Sequence, residues 1–241
     1  MIDIHSHILP GIDDGPKDIE ETAQMLRIAI DEGITDMIAT SHGEAGYGES
    51  HAAEYLEAYA KIKEYIEEHK LPIQLYYGNE LYYGDGIIEA LRTGEVRTLN
   101  GTHYVLVEFP PFESYSYIER GLRELQKIGC WPILAHVERY PALRDMKKVR
   151  TLVEQGVYIQ VNANSIIGKA GGEAKRFCKK LMKENLLHIV ATDAHGSIHR
   201  RPMMAECLTY IERKKGKEYC RLITEHHPRQ ILKGEMLNGK D

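Results

Sequence analysis

The sequence predicts a single α/β domain in which a parallel sheet closes into a barrel. Short apolar runs of β type alternate with helical patterns along the chain, which indicates parallel strands joined by helical crossovers. Most of these runs are continuously apolar, as expected for strands buried on both faces. No linker, repeat or low-complexity segment interrupts the 241 residues, so we expect one domain over residues 1–241.

Seven strands and the helices between them follow in order along the chain. The predicted strands cover residues 2–4, 36–39, 73–77, 104–108, 131–135, 157–161 and 188–191. Helical patterns cover residues 18–32, 50–69, 116–127, 145–154 and 173–185. In the first helix, Ile19, Ala23, Leu26 and Ile30 recur at helical spacing and form one apolar face. An open doubly wound sheet is the competing architecture, but no glycine-rich nucleotide fingerprint follows the first strand, which favours the barrel.

The charge and hydropathy of the chain exclude two large classes of protein. The net charge of -5 and a pI near 6.2 provide no basic surface for a nucleic-acid backbone. No apolar run approaches the roughly 18 residues that span a bilayer, and the N-terminus does not resemble a secretion signal. We therefore expect a soluble, cytoplasmic protein without nucleic-acid or membrane partners.

The four cysteines do not form a recognisable site. Cys130, Cys178, Cys207 and Cys220 are widely separated and lack the paired spacing of a zinc motif. Cys207 and Arg213 match the C-x5-R outline of cysteine-dependent phosphatases, but that loop needs glycines so that backbone N–H groups can surround a phosphate. The residues between them contain no glycine and follow a helical pattern, so we interpret the match as coincidence.

The first strand carries the most informative short motif. His5 and His7 are spaced i, i+2, which places both imidazoles on the same face of an extended strand, where they can share a metal ion. Gly11 and Gly15 then allow the chain to turn, so that Asp14 can return to the same place.

Imidazole or carboxylate groups follow six of the seven predicted strands, and amides follow the sixth strand at Asn162 and Asn164. In parallel barrels the carboxyl ends of the strands converge on one rim, where active sites form. Each residue alone has an ordinary structural explanation, but several carboxylates in one place repel unless cations neutralise them. The strand-end groups are His5, His7, His42, Glu80, Glu108, His136, Asp193 and His195. Mixed imidazole and carboxylate ligands suit Mn²⁺, Fe or Zn²⁺, so the sequence predicts a polynuclear metal site.

Four blocks of these residues resemble one known superfamily. H-S-H with D-D-G near the N-terminus, T-S-H at 40–42, L-A-H-V-E-R at 134–139 and T-D-A-H at 192–195 resemble the PHP (polymerase and histidinol phosphatase) superfamily. The opening H-I-L-P-G-I-D-D-G-P, G-N-E at 78–80 and V-E-F-P at 107–110 narrow the resemblance to bacterial CpsB/YwqE-type manganese-dependent tyrosine-protein phosphatases. The similarity runs from residue 1 to about residue 235, and it implies a distorted seven-stranded (β/α) TIM-like barrel, the PHP fold.

The resemblance also implies a site with three metal ions. His5, His7, Glu80 and Asp193 would hold the first; Glu80, Glu108 and His136 the second; and Asp14, His42 and His195 the third. Mn²⁺ is the expected metal, with Fe or Zn²⁺ as alternatives. Arg139 matches the phosphate-contacting arginine of the family, and we assign a second such arginine to Arg201, although the adjacent Arg200 leaves the register open.

The implied function is hydrolysis of phosphotyrosine, on a bacterial tyrosine kinase that regulates capsular or exopolysaccharide synthesis. Two alternatives remain open: a small-molecule phosphatase, such as histidinol-phosphate phosphatase, and a non-catalytic metal-binding module. The chain departs from many relatives at residues 43–48, which are small, flexible and acidic where relatives have a bulky or basic segment. This departure leaves open how the chain contacts a phosphorylated peptide.

Overall fold

A computed structural model describes residues 1–237 of the protein. Within that range the chain forms nine strands, and every pair of neighbouring strands is parallel. The strands are β1 Ile2–Ser6, β2 Asp36–Ala39, β3 His42–Gly43, β4 Gln74–Tyr77, β5 Glu80–Tyr82, β6 Tyr104–Glu108, β7 Trp131–Leu134, β8 Tyr158–Asn162 and β9 Ile189–Ala191. They form a three-stranded sheet of order β1-β2-β4 and a six-stranded sheet of order β3-β5-β6-β7-β8-β9.

Helices connect the strands, as the alternating pattern predicts. They are α1 Ile19–Asp31, α2 Gly48–Glu68, α3 Ile87–Thr93, α4 Tyr115–Lys127, α5 Met146–Glu154, α6 Ala163–Ile167, α7 Gly172–Lys183, α8 Ala205–Lys215, α9 Lys217–Arg221 and α10 His227–Lys233, with a π-helical turn, Leu222–His226, before α10. The five predicted helices correspond to α1, α2, α4, α5 and α7. Asp18, Ser114 and Asp145 begin α1, α4 and α5 by accepting a hydrogen bond from a first-turn backbone N–H group. None of the helices within residues 1–237 is long and apolar enough to cross a membrane.

The predicted count of seven strands is not confirmed, because two predicted strand paths are interrupted and resume as separate strands. Residues 40–41 separate β2 from β3, and residues 78–79 separate β4 from β5. Side chains satisfy the backbone groups that the interruption frees. The buried Tyr55 hydroxyl accepts from Gly78 N at 3.0 Å and lies 2.9 Å from the carbonyl oxygen of Ala39, while Asn79 Nδ2 donates to Ser41 O at 2.9 Å. These bonds provide partners for backbone groups of Ala39, Ser41 and Gly78 at the break.

The two parallel sheets curl, and hydrogen bonds join the residues after β9 to residues of β1 and just after it. Beyond β9, Ala194 O accepts a hydrogen bond from His7 N at 2.8 Å, and Asp193 N donates to His5 O at 2.9 Å. On the other side of β1, Thr40 N donates to Ser6 O at 2.8 Å. These bonds confirm the α/β class and a curled parallel sheet. They connect the end of β1 to the residues that follow β9 on one side and β2 on the other.

Both faces of the strands are buried, because alternate side chains enter two different apolar layers. On β6, Val105 and Val107 pack with the surrounding helices, whereas Tyr104 and Leu106 face the inner layer. The inner layer also contains Ile231 of α10, together with residues of β1, β6 and β9. The inside of the curled sheet is therefore filled by side chains, and polar groups gather beyond the carboxyl ends of the strands.

Candidate metal centre

The nine side chains predicted as metal ligands lie together beyond the carboxyl ends of the strands. Ligand atoms within 4.8 Å of one another form three overlapping groups: His5, His7, Glu80 and Asp193; His7, Asp14, His42 and His195; and His42, Glu80 and Glu108. His136 joins them, because its Nε2 atom lies 2.8 Å from Glu80 Oε1 and 3.3 Å from Glu108 Oε2. The groups overlap because His7, His42 and Glu80 each belong to two of them.

Glu80 is the central carboxylate of the cluster. It begins β5, opposite His42 of β3 and Leu106 of β6, and its side chain is buried. Glu80 Oε2 lies 3.2 Å from Nε2 of both His5 and His7, while Oε1 faces His136. A carboxylate with its two oxygens directed at different imidazoles is suited to bridging two metal ions.

The donor atoms fit a metal site in their chemistry as well as their position. The Nε2 atoms of His5 and His7 lie 3.3 Å apart and both face Glu80, so their lone pairs converge on a space that a cation can occupy. The cluster consists of five imidazoles and four carboxylates, a set that suits Mn²⁺, Fe or Zn²⁺.

The cysteines lie away from this cluster. Cys207 is buried in α8, and burial raises the pKa of its thiol far above the ordinary value. Arg213, the other end of the C-x5-R match, lies in the same helix. A helical backbone cannot wrap a phosphate, so the structure agrees with the interpretation of this match as coincidence.

Asp13 is one residue of the centre to which the sequence prediction gave no role. Its Oδ2 atom accepts from His7 Nδ1 at 2.7 Å and from His42 N at 3.0 Å, and Oδ1 accepts from Gly15 N at 3.0 Å. Burial opposes ionisation of Asp13, but the hydrogen bond and charge of His7 outweigh it and hold the Asp13 pKa far below its usual range. The D-D-G motif was the available signal, although it does not indicate which aspartate has which partner.

Amides from β8 support the opposite side of the centre. Gln160 Oε1 accepts from His136 N at 2.6 Å, and Gln160 Nε2 donates to Asn162 Oδ1 at 2.9 Å. Asn162 Nδ2 in turn donates to Asp193 Oδ2 at 2.7 Å. The strand that ends in amides therefore orients predicted ligands from the neighbouring strands.

Two arginines, Arg139 and Arg200, flank the cluster. Arg139 Nη2 lies 2.6 Å from Asp193 Oδ2, and Arg200 Nη2 lies 2.8 Å from Asp193 Oδ1. Arg201, which we assigned as the second arginine with Arg200 as the alternative, has no ion pair or side-chain hydrogen bond within residues 1–237. The difference arises in the turn, where Arg200 has φ +48° and its carbonyl oxygen accepts from His195 N at 2.9 Å. This bond holds Arg200 beside the cluster.

Three residues of the centre have a left-handed backbone conformation that favours glycine. His136, Asp193 and Arg200 have φ values of 31°, 52° and 48°. Non-glycine residues in this region persist where surrounding contacts hold them, and they cluster at functional sites. Here Gln160 holds the His136 N–H group, and Asp193 N donates to His5 O.

The carboxylates of the cluster favour protonation of His7 and His136. Burial lowers the pKa of His7, but hydrogen bonds and charge from Asp13 and Glu80 outweigh it and raise this pKa to about 10. Burial likewise opposes protonation of His136, while Glu108 and Glu80 raise its pKa to about 9. The centre therefore attracts positive charge, and a metal ion that binds these nitrogens must displace protons.

Comparisons with known proteins identify relatives over most of the chain. The model of the family "Capsular polysaccharide synthesis, CpsB/CapC" matches residues 1–233. The tyrosine-protein phosphatase CpsB of Streptococcus pneumoniae is 34% identical over 243 residues, covering 98% of this chain and 100% of that protein. The tyrosine-protein phosphatase YwqE of Bacillus subtilis (strain 168) is 34% identical over 227 residues, covering 94% of this chain and 89% of YwqE.

Solved structures show the same relationship. A chain from the crystal structures of B. subtilis YwqE and S. pneumoniae CpsB, described as unique metal-dependent tyrosine phosphatases, superimposes with a TM-score of 0.90 at 32% identity. The alignment covers 98% of this chain and 95% of that one. A histidinol phosphate phosphatase from Lactococcus lactis has a TM-score of 0.51 at 13% identity, covering 96% of this chain and 92% of that chain, and shares the fold alone.

Proposed function

The chain belongs to the CpsB/CapC family of capsular polysaccharide synthesis proteins, and we propose that it is a metal-dependent phosphatase that hydrolyses phosphotyrosine in proteins. One observation carries this proposal: nine imidazole and carboxylate side chains converge on one centre, with two arginines beside it. Relatives aligned over nearly the full chain are tyrosine-protein phosphatases, which identifies phosphotyrosine as the substrate class.

We assign the ligands to three metal ions. His5, His7, Glu80 and Asp193 would hold one; Glu80, Glu108 and His136 a second; and Asp14, His42 and His195 a third. Glu80 faces the imidazoles of the first two sets, and Asp14 Oδ1 lies 3.1 Å from His195 Nε2 and 3.5 Å from His42 Nε2, which supports the third. Mn²⁺ is the proposed metal, with Fe or Zn²⁺ as alternatives of similar ligand preference.

The arginines would bind the phosphoryl oxygens of the substrate. Arg139 and Arg200 share the carboxylate of Asp193, and their side chains are 44% and 41% exposed, so a phosphate can reach them from solvent. Bound metal ions would supply Lewis-acid activation of the attacking water and would neutralise charge on the phosphate. Arg139 and Arg200 would add hydrogen bonds that strengthen as charge develops on the transferring group.

The leaving group and the position of the cysteines fit direct attack by water. The phenol of tyrosine has a pKa of about 10, so phenolate leaves without a strong general acid. Cys207 lies buried in α8, outside the centre, and we expect no cysteinyl-phosphate. Rapid-quench experiments that trap such an intermediate, or loss of activity in Cys207→Ser, would contradict this mechanism.

The natural substrate would be a tyrosine kinase of polysaccharide assembly that carries phosphotyrosine. We propose that residues 1–241 form one PHP phosphoesterase domain, a distorted seven-stranded (β/α) barrel that acts in the cytoplasm. Residues 238–241 lie outside the described range.

Metal removal and restoration test the proposed function directly. We expect the chelator-treated protein to lose hydrolysis of a phosphotyrosine peptide and to regain it with Mn²⁺, with metal content measured by elemental analysis. Faster turnover of histidinol phosphate than of phosphotyrosine would favour a small-molecule phosphatase instead. Absence of any phosphatase activity with metal bound, together with retained partner binding in His136→Ala, would favour a non-catalytic module.

A further inference from the structure

Tyr82 is an aromatic residue that the packing of the protein leaves unused. It ends β5, two residues after Glu80, and its side chain is half-buried. Within residues 1–237 its hydroxyl group has no hydrogen bond, its ring has no aromatic or cation partner, and it belongs to neither apolar layer. Every other tyrosine of the fifteen packs with an apolar layer or, as Tyr47 does with His51, with another ring.

The register of β5 and β6 shows on which face of the sheet the Tyr82 side chain lies. Leu81 of β5 is opposite Val107 of β6, and both pack in the layer that contains the surrounding helices. Because side chains alternate along a strand, Glu80 and Tyr82 lie on the other face. On that face Tyr82 is opposite Glu108, one of the clustered carboxylates. The Tyr82 side chain therefore lies on the face of the proposed metal ligands, about 6.6 Å beyond Glu80 at a strand rise of about 3.3 Å per residue.

Tyr82 and the two arginines lie beside different members of the cluster. Arg139 and Arg200 both bind Asp193, whereas Tyr82 lies next to Glu108 on the neighbouring strand. The charged oxygens of a bound phosphate would face the arginines, because these oxygens are the strongest acceptors. The ester oxygen, the poorest acceptor, would then point to another side of the centre. The group esterified to the phosphate can thus extend along Tyr82.

We propose that Tyr82 packs against the aromatic ring of the substrate and selects aryl phosphates over alkyl phosphates, an inference that rests on the proposed function. Two aromatic rings that stack with an offset or meet edge to face gain about two- to tenfold in binding beyond the apolar area they bury. An alkyl phosphate, such as that of serine, has no ring to place beside Tyr82. The contact uses the ring of Tyr82 and not its hydroxyl group, so phenylalanine should replace it.

Equilibrium binding of two phosphonates that are not hydrolysed tests this contact without turnover. Phenylphosphonate has an aromatic ring and methylphosphonate has none, and calorimetric titration of the Mn²⁺-loaded protein measures the Kd of each. Tyr82→Ala removes the ring, whereas Tyr82→Phe keeps it. Tyr65→Ala, at a half-buried position of α2 outside the cluster, is the matched control. Elemental analysis measures the bound Mn²⁺ of each variant.

We expect Tyr82→Ala to raise the Kd of phenylphosphonate about tenfold and that of methylphosphonate less than about twofold. Tyr82→Phe and Tyr65→Ala should change both Kd values less than about twofold, with Mn²⁺ content as in the wild type. The inference is overturned if Tyr82→Ala weakens both ligands equally or neither, if Tyr82→Phe loses as much as Tyr82→Ala, or if the wild type does not bind phenylphosphonate.

Hydrolysis assays separate this inference from the proposed function. On a phosphotyrosine peptide, Tyr82→Ala should raise KM with kcat nearly unchanged, because the ring contact is present in both the bound substrate and the transition state. If the Mn²⁺-loaded wild-type enzyme does not hydrolyse phosphotyrosine, the proposed function fails. The phosphonate titrations then still decide whether Tyr82 contacts an aryl group.

Discussion

Asp13 connects three parts of the centre that come from different stretches of the chain. Its carboxylate accepts hydrogen bonds from His7 Nδ1, the backbone N–H of His42 and that of Gly15. Because His7 Nδ1 is bound to Asp13, the Nε2 atom of the same ring faces Glu80 and His5. Partners of this kind set the orientation and tautomer of a metal-binding histidine.

Replacement of Asp13 should weaken metal binding without removing a ligand. In Asp13→Asn the amide is a poorer acceptor for His7, so we expect metal affinity to fall about 10- to 100-fold. Calorimetric titration of the metal-free protein with Mn²⁺ measures the change. Asp31→Asn, an exposed aspartate at the end of α1, is the control and should bind Mn²⁺ as the wild type does. Equal affinity in both variants would show that Asp13 does not position the ligands.

A second prediction for single residues compares substitutions of the adjacent Arg200 and Arg201. Arg200 forms an ion pair with Asp193, whereas Arg201 has no ion pair within residues 1–237. Loss of one donor that binds the transition state costs on the order of 100-fold in rate, so we expect that loss in kcat/KM for Arg200→Ala. We expect Arg201→Ala to stay within about twofold, since exposed side chains without partners contribute little. The reverse order would restore the assignment to Arg201.

At the scale of elements, the interrupted strands determine where the ligands lie. His42 begins β3 and Glu80 begins β5, and each follows a short break in a strand path. Tyr55 of α2 holds one side of this break, because its hydroxyl group lies within hydrogen-bonding distance of Ala39 O, Gly78 O and Gly78 N. The helix is thus linked to the strands that deliver two predicted ligands.

Removal of the Tyr55 hydroxyl should destabilise the fold. Tyr55→Phe leaves the buried Gly78 N–H group without a partner, so we expect the free energy of unfolding to fall by about 2 kcal/mol. Urea denaturation of the metal-free protein measures this loss. Tyr65 lies on the same helix, and its hydroxyl group has no hydrogen bond within residues 1–237. Tyr65→Phe should therefore change the free energy of unfolding by less than about 0.5 kcal/mol. Similar losses in both variants would contradict a specific role for the Tyr55 hydroxyl.

At the scale of the whole molecule, His188 joins the sheet to the C-terminal helices at the amino end of β9. Its Nδ1 atom accepts from Ile159 N at 3.1 Å, and its carbonyl oxygen lies 2.8 Å from His227 Nδ1 of α10. Burial, with repulsion from His227, lowers the pKa of His188 to about 4. This histidine is therefore neutral in the folded protein through the mildly acidic range.

The shifted pKa of His188 predicts acid sensitivity. As pH falls from about 6.5 to about 4, the unfolded chain takes up a proton that the folded chain resists, so stability present above pH 6.5 is lost, by up to about 3 kcal/mol. In His188→Asn the amide oxygen can still accept from Ile159 N but does not titrate. We expect a flatter dependence of unfolding free energy on pH in this variant, measured on chelator-treated protein. Parallel pH curves for the two proteins would contradict the prediction.

Much of the fold was predictable because the relevant signals are local. Apolar runs and helical periodicity depend on neighbouring residues, and all seven predicted strand runs and all five predicted helices have counterparts in the structure. The strand breaks were not predictable, because they depend on Tyr55 and Asn79, whose partners lie far away along the chain. A cavity beside α7 and the turn Val137–Arg139 was not predictable either, because these two segments come together only in the folded chain.

The sequence by itself indicated which nine ligand side chains to expect at the centre. Eight of them follow strands that converge in a parallel fold, and Asp14 follows the turn after the first strand. Only the tertiary structure decided how the surrounding residues support them: Asp13 on His7, Gln160 on the His136 backbone, and Arg200 instead of Arg201 beside Asp193. The physical reason is the range of the interactions. Local apolar patterns predict where the strands lie along the chain. A hydrogen bond or ion pair depends on side-chain orientation to within an ångström, and long-range packing sets that orientation.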